Sequence, residues 1–144
     1  MLKICFVCTG NTCRSVMAER IAKKIIKEKK IKEIKVLSKG LQALGDDITD
    51  NAKITLKKLG YNCRSRKSIK LKNFEKDVLY VTMTYNQMNF IKPFAKVICI
   101  GDFDNKNEIN DPYGRDLETY IFVAKKLEVL IERLLDKISI LRSE

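Results

Sequence analysis

Histidine and tryptophan are absent from the 144 residues, and proline occurs only twice. Without histidine, no imidazole can serve as a general base and no metal site can be built on imidazole. Aromatic residues make up 8% of the chain, and no aromatic-basic platform of the kind that stacks single-stranded nucleic acid is present. No uncharged apolar run reaches the length that spans a bilayer. The N-terminus also lacks the basic, apolar, small-residue order of a secretory signal. The chain is therefore expected to be cytoplasmic and without a membrane partner. Five cysteines are an odd number, and in a sequence without export signals they read as reduced thiols rather than a disulfide framework. Cys5 and Cys8 have a Cys-x2-Cys spacing, but the further ligands of a zinc site are missing, so no metal and no cofactor is expected. Cys5 reads as a buried strand residue.

What is present is apolar material and positive charge. The hydrophobic fraction of 45% suits one domain, residues 1–144, that folds without metal or disulfide support. The 29 basic and 18 acidic residues leave a net charge of +11, which favours anionic partners in general. Most of the basic residues are lysines spread over helix faces, as from Lys23 to Lys32. That distribution reads as a solvated surface and not as a nucleic-acid site.

Apolar periodicity places strands at Leu2–Val7, Ile34–Ser38, Asp77–Met83 and Lys96–Ile100. Helices are predicted over Ser15–Lys29, from Thr49 or Asp50 to Leu59 with Gly60 as the stop, from Thr84 to Phe90, and over Leu117–Ile140. The last helix carries Leu117, Ile121, Ala124, Leu127, Ile131, Leu134 and Ile138 on one side, a core stripe. Gly101–Asp116 is polar and reads as a long functional loop. Strands alternating with helices give an α/β class, a three-layer αβα domain on a four-stranded parallel sheet. Ligands in such sheets bind beyond the C-terminal strand ends.

The first of those ends carries Cys8-Thr9-Gly10-Asn11-Thr12-Cys13-Arg14-Ser15. A thiol opens the turn, a guanidinium follows six positions later, and Gly10-Asn11 permits left-handed torsions between them. Successive backbone N–H groups of Thr9 to Ser15 can then cradle a tetrahedral oxyanion at a helix N-terminus. A cysteine placed there is stabilised as a thiolate nucleophile.

This segment, continued by Met17-Ala18-Glu19, resembles the low-molecular-weight protein phosphatases. A second signature of that family appears as Asp111-Pro112-Tyr113-Gly114, and a Ser-x-Gly follows the second strand as Ser38 and Gly40. The resemblance spans essentially the whole chain. It implies Cys8 as the nucleophile that takes the phosphoryl group, Arg14 as the bidentate clamp and Asp111 as the general acid. It further implies Ser15 as the hydroxyl on the thiolate, with Asn11 and Ser38 in the polar network that holds the loop. Pro112 would fix the acid loop, and Tyr113 would wall the pocket. Cys13 would pair with Cys8 under oxidation as a reversible switch.

Two departures from the family stand out. Val16 occupies the usual place of a proline, and Ser65 falls near the place where many members have a supporting histidine. Thr12 bears on the substrate. Members acting on phosphotyrosine usually have a bulkier aliphatic residue there, whereas members acting on phosphoarginine have threonine. The single aromatic, Tyr113, before Gly114 agrees with the arginine branch. The expected activity is thus dephosphorylation of phosphorylated proteins, at arginine first and at tyrosine as the alternative. Arsenate reductase of the same fold needs redox cysteines after the third strand, and Met83 to Phe90 has none. A phosphate-binding module without catalysis, or a nucleic-acid binder, ranks lower still.

Overall fold

The computed structural model describes residues 1–143. The elements in order are β1 (Leu2–Cys8), α1 (Arg14–Glu28), β2 (Ile34–Gly40), α2 (Asp50–Lys58), β3 (Val78–Thr82), α3 (Tyr85–Ile91), β4 (Val97–Cys99) and α4 (Leu117–Ser143), with a short 3-10 turn at Ile100–Phe103 before α4. The strands form one parallel sheet in the order β2-β1-β3-β4. β1 is central, and Ile4, Cys5, Phe6 and Val7 are all fully buried.

Alternation along β1 sends its residues to two different cores. Ile4, Phe6 and Cys8 join the larger one, with Met17 and Ile21 of α1, Leu56 of α2, and Leu127, Ile131 and Leu134 of α4. Cys5 and Val7 join the smaller one on the opposite face, with Tyr80, Ile91 and Leu71. Each fully buried Leu or Ile contributes roughly 1.5–3 kcal/mol by removal from water, so the α1–α4 face dominates the stability of the sheet. Burial pushes the Cys5 thiol up to about 12, which leaves it a neutral core side chain.

Local signals set the helix ends. Thr49 Oγ1 accepts from Ala52 N–H and caps α2, and Gly60 follows α2 with φ +83°. Thr84 and Gln87 form a reciprocal capping box at α3. Several details differ from the sequence expectation. β2 continues to Gly40 because its last two residues still pair with Val7 and Cys8 of β1. β4 is only Val97–Cys99, since Ile100 turns into the 3-10 segment. In α4 the buried stripe is shifted: Leu117 and Ile121 are half-exposed, while Tyr120 and Val123 enter the core.

Candidate active site

β1 ends at Cys8, and the chain crosses to α1 through Thr9–Cys13. Asn11 is the pivot of this loop. Its φ of +57° is left-handed, a conformation that asparagine tolerates better than most residues. The turn brings Asn11 N–H to 3.2 Å from Cys8 Sγ. Ser15 Oγ lies 2.9 Å from the same sulfur. The Ser15 oxygen accepts from Asn11 Nδ2 at 2.8 Å, so its own proton is free to donate to a Cys8 thiolate. Two hydrogen-bond donors thus converge on one sulfur.

The Asn11 amide is fully used. Nδ2 donates to Ser15 Oγ and to Ser38 Oγ, and Oδ1 accepts from Arg66 Nη1 at 3.0 Å and from Ile69 N–H at 2.9 Å. Ser38 Oγ in turn donates to Glu19 Oε1 and accepts from Arg66 Nη2. Glu19 is buried. Burial alone would raise its carboxyl, but hydrogen bonds from Lys23 and Ser38 and the charges of Lys23 and Arg66 hold it below the ordinary glutamate range. Gln87 Nε2 donates to Thr9 Oγ1 at 3.2 Å and ties the other shoulder of the loop to α3.

Backbone contacts complete the frame. Leu41 N–H donates to Cys8 O, Gln42 N–H to Thr9 O and Thr49 N–H to Thr12 O. Among the described residues, the N–H groups of Gly10, Thr12, Cys13, Arg14 and Ser15 donate to no protein acceptor. They are left to meet an anion at the start of α1.

Gly40 explains the Ser-x-Gly spacing. A Cβ there would stand 2.7 Å from Thr9 O and 2.9 Å from both Asn11 N and Asn11 Cβ. The loop therefore rests on the bare backbone of β2. Gly40→Ala is expected to cost about 2 kcal/mol of stability by overpacking and to lower kcat/KM roughly 100-fold by displacing the loop. Thermal unfolding and steady-state kinetics check the two effects, and unchanged kcat/KM would contradict the tight seat.

Arg14 is buried to 5% exposure. Its Nη1 donates to Ile109 O at 2.9 Å, and its Nη2 lies 3.7 Å from Asp111 Oδ2. Ile109 N–H donates to Met83 O at the end of β3, which pins the polar loop before α4 over the phosphate-loop end of the sheet. Asp111 Oδ1 accepts from Tyr113 N–H; Pro112 is buried, and Tyr113 stays exposed. A cavity of about 430 Å³ collects Cys8, Thr12, Arg14, Asp111, Tyr113 and, on its rim, Asp46 and Asp47.

Residues 3–143 match the family described as low molecular weight phosphotyrosine protein phosphatase. The chain belongs to that family. It is 34% identical to a protein-arginine-phosphatase of Geobacillus stearothermophilus, over 94% of this chain and 95% of the relative. It is 29% identical to the low molecular weight protein-tyrosine-phosphatase PtpB of Staphylococcus aureus, over 94% and 98%. A solved YwlE arginine phosphatase, a Cys-to-Ser variant with a phosphorylated active-site serine, superposes with a TM-score of 0.88 at 26% identity, covering 96% of each chain.

In this low-molecular-weight phosphatase an arginine supports the loop. Ser65 was expected near the place of the supporting histidine, but it takes no part in the network; its neighbour Arg66 does, reaching Asn11, Ser38 and Glu19. Arginine offers five donors in a fixed fork, enough to bind all three partners at once. Sequence reasoning gave Arg66 and Glu19 no such role. Glu19 lies one turn after Ser15 on α1, so its inward position was legible in principle; Arg66 lies in an irregular segment with no pattern to mark it. Cys13 Sγ is 3.4 Å from both Thr49 Oγ1 and Tyr120 OH. Burial, with Cys13 adding, raises the Tyr120 phenol.

Proposed function

We propose that this phosphatase removes phosphate from arginine side chains of proteins. The observation that carries the reading is Thr12, a small polar residue on the wall of the cavity that holds Cys8 and Arg14. A threonine leaves room and a hydroxyl beside a planar, polar guanidino group, where a larger aliphatic residue would suit an aryl ring. Asp46 on the same rim has no salt-bridge partner among the described residues and complements a cationic substrate. The Geobacillus relative, a protein-arginine-phosphatase at 34% identity, supports the same reading.

In the proposed reaction, Cys8 Sγ attacks phosphorus and the P–N bond breaks. The electron pair leaves on the guanidino nitrogen, which takes a proton from Asp111 Oδ. Arg14 and the free N–H groups of Gly10 to Ser15 bind the equatorial oxygens. Water, deprotonated by Asp111, then releases phosphate from the phosphocysteine. The phosphorylated serine in the YwlE variant supports covalent transfer to this position. Asn11, Ser15, Ser38 and Pro112 act as positioning residues. Peroxide would oxidise the Cys8 thiolate to a sulfenic acid and be reduced to hydroxide; the Cys13 sulfur would then attack the Cys8 sulfur, the S–O bond breaking and its hydroxyl leaving with the Cys13 proton as water, to form the protective disulfide. Among the described residues no helix is long and apolar enough to cross a membrane.

Tyrosine is the second reading, favoured by the relative PtpB at 29% identity. A paired assay of phosphoarginine protein and phosphotyrosine peptide separates the two. The wild type is expected to prefer phosphoarginine by roughly tenfold or more in kcat/KM, and Thr12→Ile to reverse the order, a swing of about 1.4 kcal/mol or more each way. A wild type that prefers phosphotyrosine overturns the arginine reading and leaves the chemistry intact.

A further inference from the structure

A second cavity, of about 920 Å³, lies behind the phosphate loop and is lined by Arg20, Lys23, Lys24, Lys27, Arg64 and Arg66 together with Glu19 and Glu28. We propose that it is a regulatory site for a compact polyphosphate anion, coupled to the phosphate loop through Arg66. The proposal rests on the phosphatase activity alone and not on the choice between arginine and tyrosine.

Arg20 is the anomaly that points to a ligand. It is 7% exposed, yet no carboxylate lies within ion-pair distance among the described residues. Its guanidinium donates only to oxygens of Asn62 and Arg64: Nη1 to Asn62 O at 2.7 Å, Nη2 to Arg64 O at 2.8 Å. Buried cations are ordinarily neutralised. Burial, with Arg66 adding and Glu19 opposing, holds Arg20 below the ordinary arginine range.

The rest of the wall is also unbalanced. Glu19 is spent on Lys23 at 2.6 Å and on Arg66 at 3.2 Å. Lys27 and Arg64 have no salt-bridge partner among the described residues. Lys24 lies over the Tyr61 ring at 4.9 Å and covers the neighbouring aromatic face, which removes the stacking surface that a nucleic acid would use. Several separated cations in a concave site, without an aromatic platform, suit linked phosphates better than one phosphate or a base.

Arg66 couples the two sites because one guanidinium serves both. It lines this cavity and also donates to Asn11 and Ser38 under the phosphate loop. An anion that attracts Arg66 and Lys23 competes with Glu19, and the Asn11 amide loses a donor. The loop that holds Cys8 is then less well fixed, so turnover falls while the Cys8 cavity, which shares no lining residue with this one, still admits substrate.

Tripolyphosphate is the probe, with p-nitrophenyl phosphate as substrate. It is expected to lower kcat roughly fivefold, in addition to any rise in KM from competition at the phosphate loop. With the loop blocked by vanadate, calorimetry is expected to find one remaining tripolyphosphate site. Lys27→Glu with Arg64→Glu should abolish that site and the kcat effect while keeping basal kcat/KM within about twofold; the neutral pair Lys27→Gln with Arg64→Gln should do the same more weakly and guards against misfolding of the first. No binding to vanadate-blocked protein, or a rise in KM with unchanged kcat, overturns the proposal. So does a kcat effect that survives both variant pairs.

Discussion

Cys8→Ser is expected to lower turnover of any phosphorylated substrate by roughly 10⁴-fold or more while leaving the affinity for inorganic phosphate within a few-fold. The sulfur receives Asn11 N–H at 3.2 Å and faces Ser15 Oγ at 2.9 Å. A hydroxyl keeps the hydrogen bonds but holds its proton far more tightly than a thiol, so it offers little anionic nucleophile at neutral pH. The anion cradle is untouched, because the free N–H groups and Arg14 do not depend on the sulfur. Stopped-time assays of released phosphate measure the first effect, and displacement of vanadate measures the second. Multiple turnover within about 100-fold of wild type would remove Cys8 from the role of nucleophile, and loss of phosphate binding would mean that the loop had collapsed.

The parts of the site that were legible in the sequence are those that lie together in it. The strand, the turn with Gly10-Asn11 and the helix start are contiguous, and the turn alone brings Cys8 and Arg14 to one cavity. Asp111 is remote, at 97 positions from Arg14, yet legible because its Asp-Pro-aromatic signature is compact. Arg66 shows the opposite case. It reaches Glu19 across 47 positions from a segment without periodicity, and the neighbouring Ser65, which falls near the family's histidine place, assigns no role to Arg66. Non-local polar contacts of this kind follow from the packed fold and leave no spacing to read.

The same distinction holds for the fold. β1, α1 and α4 were placed within a residue or a few because long periodic segments are strongly specified. β4 was overrun at both ends because an apolar run of five residues does not say where the chain leaves the sheet, and Ile100 is as buried in the 3-10 turn as it would be in a strand. On α4 the inferred stripe holds at Ala124, Leu127, Ile131, Leu134 and Ile138, all buried, and differs only at Leu117 and Ile121 near its start. Tyr120 enters the core in place of Ile121 because its hydroxyl finds Cys13 Sγ at 3.4 Å, a polar partner that a hydrophobicity pattern cannot contain.

Arg14→Lys is expected to lower kcat/KM roughly 10³-fold, about 4 kcal/mol of transition-state stabilisation. Arg14 is 5% exposed, and its fork is divided: Nη1 is fixed by Ile109 O at 2.9 Å, and Nη2 faces Asp111 Oδ2 at 3.7 Å. The guanidinium therefore connects the Cys8–Ser15 loop to the loop that carries Asp111, the proposed acid. A planar cation held at two points can present parallel N–H groups to two phosphoryl oxygens without rearranging when the charge on them shifts. An ammonium in its place keeps the charge but is a single point. It cannot hold Ile109 O and Asp111 together and still bind two oxygens, so the acid loses its fixed distance from the leaving group. The loss should accordingly fall mainly on kcat, with the competitive inhibition constant of inorganic phosphate rising by only about tenfold, since a lysine still attracts the ground-state dianion. A change that appears wholly in KM would mean that Arg14 supplies charge for binding and nothing that is particular to the transition state. A loss below about tenfold in kcat/KM would mean that the N–H groups of Gly10 to Ser15 carry the phosphoryl oxygens without it.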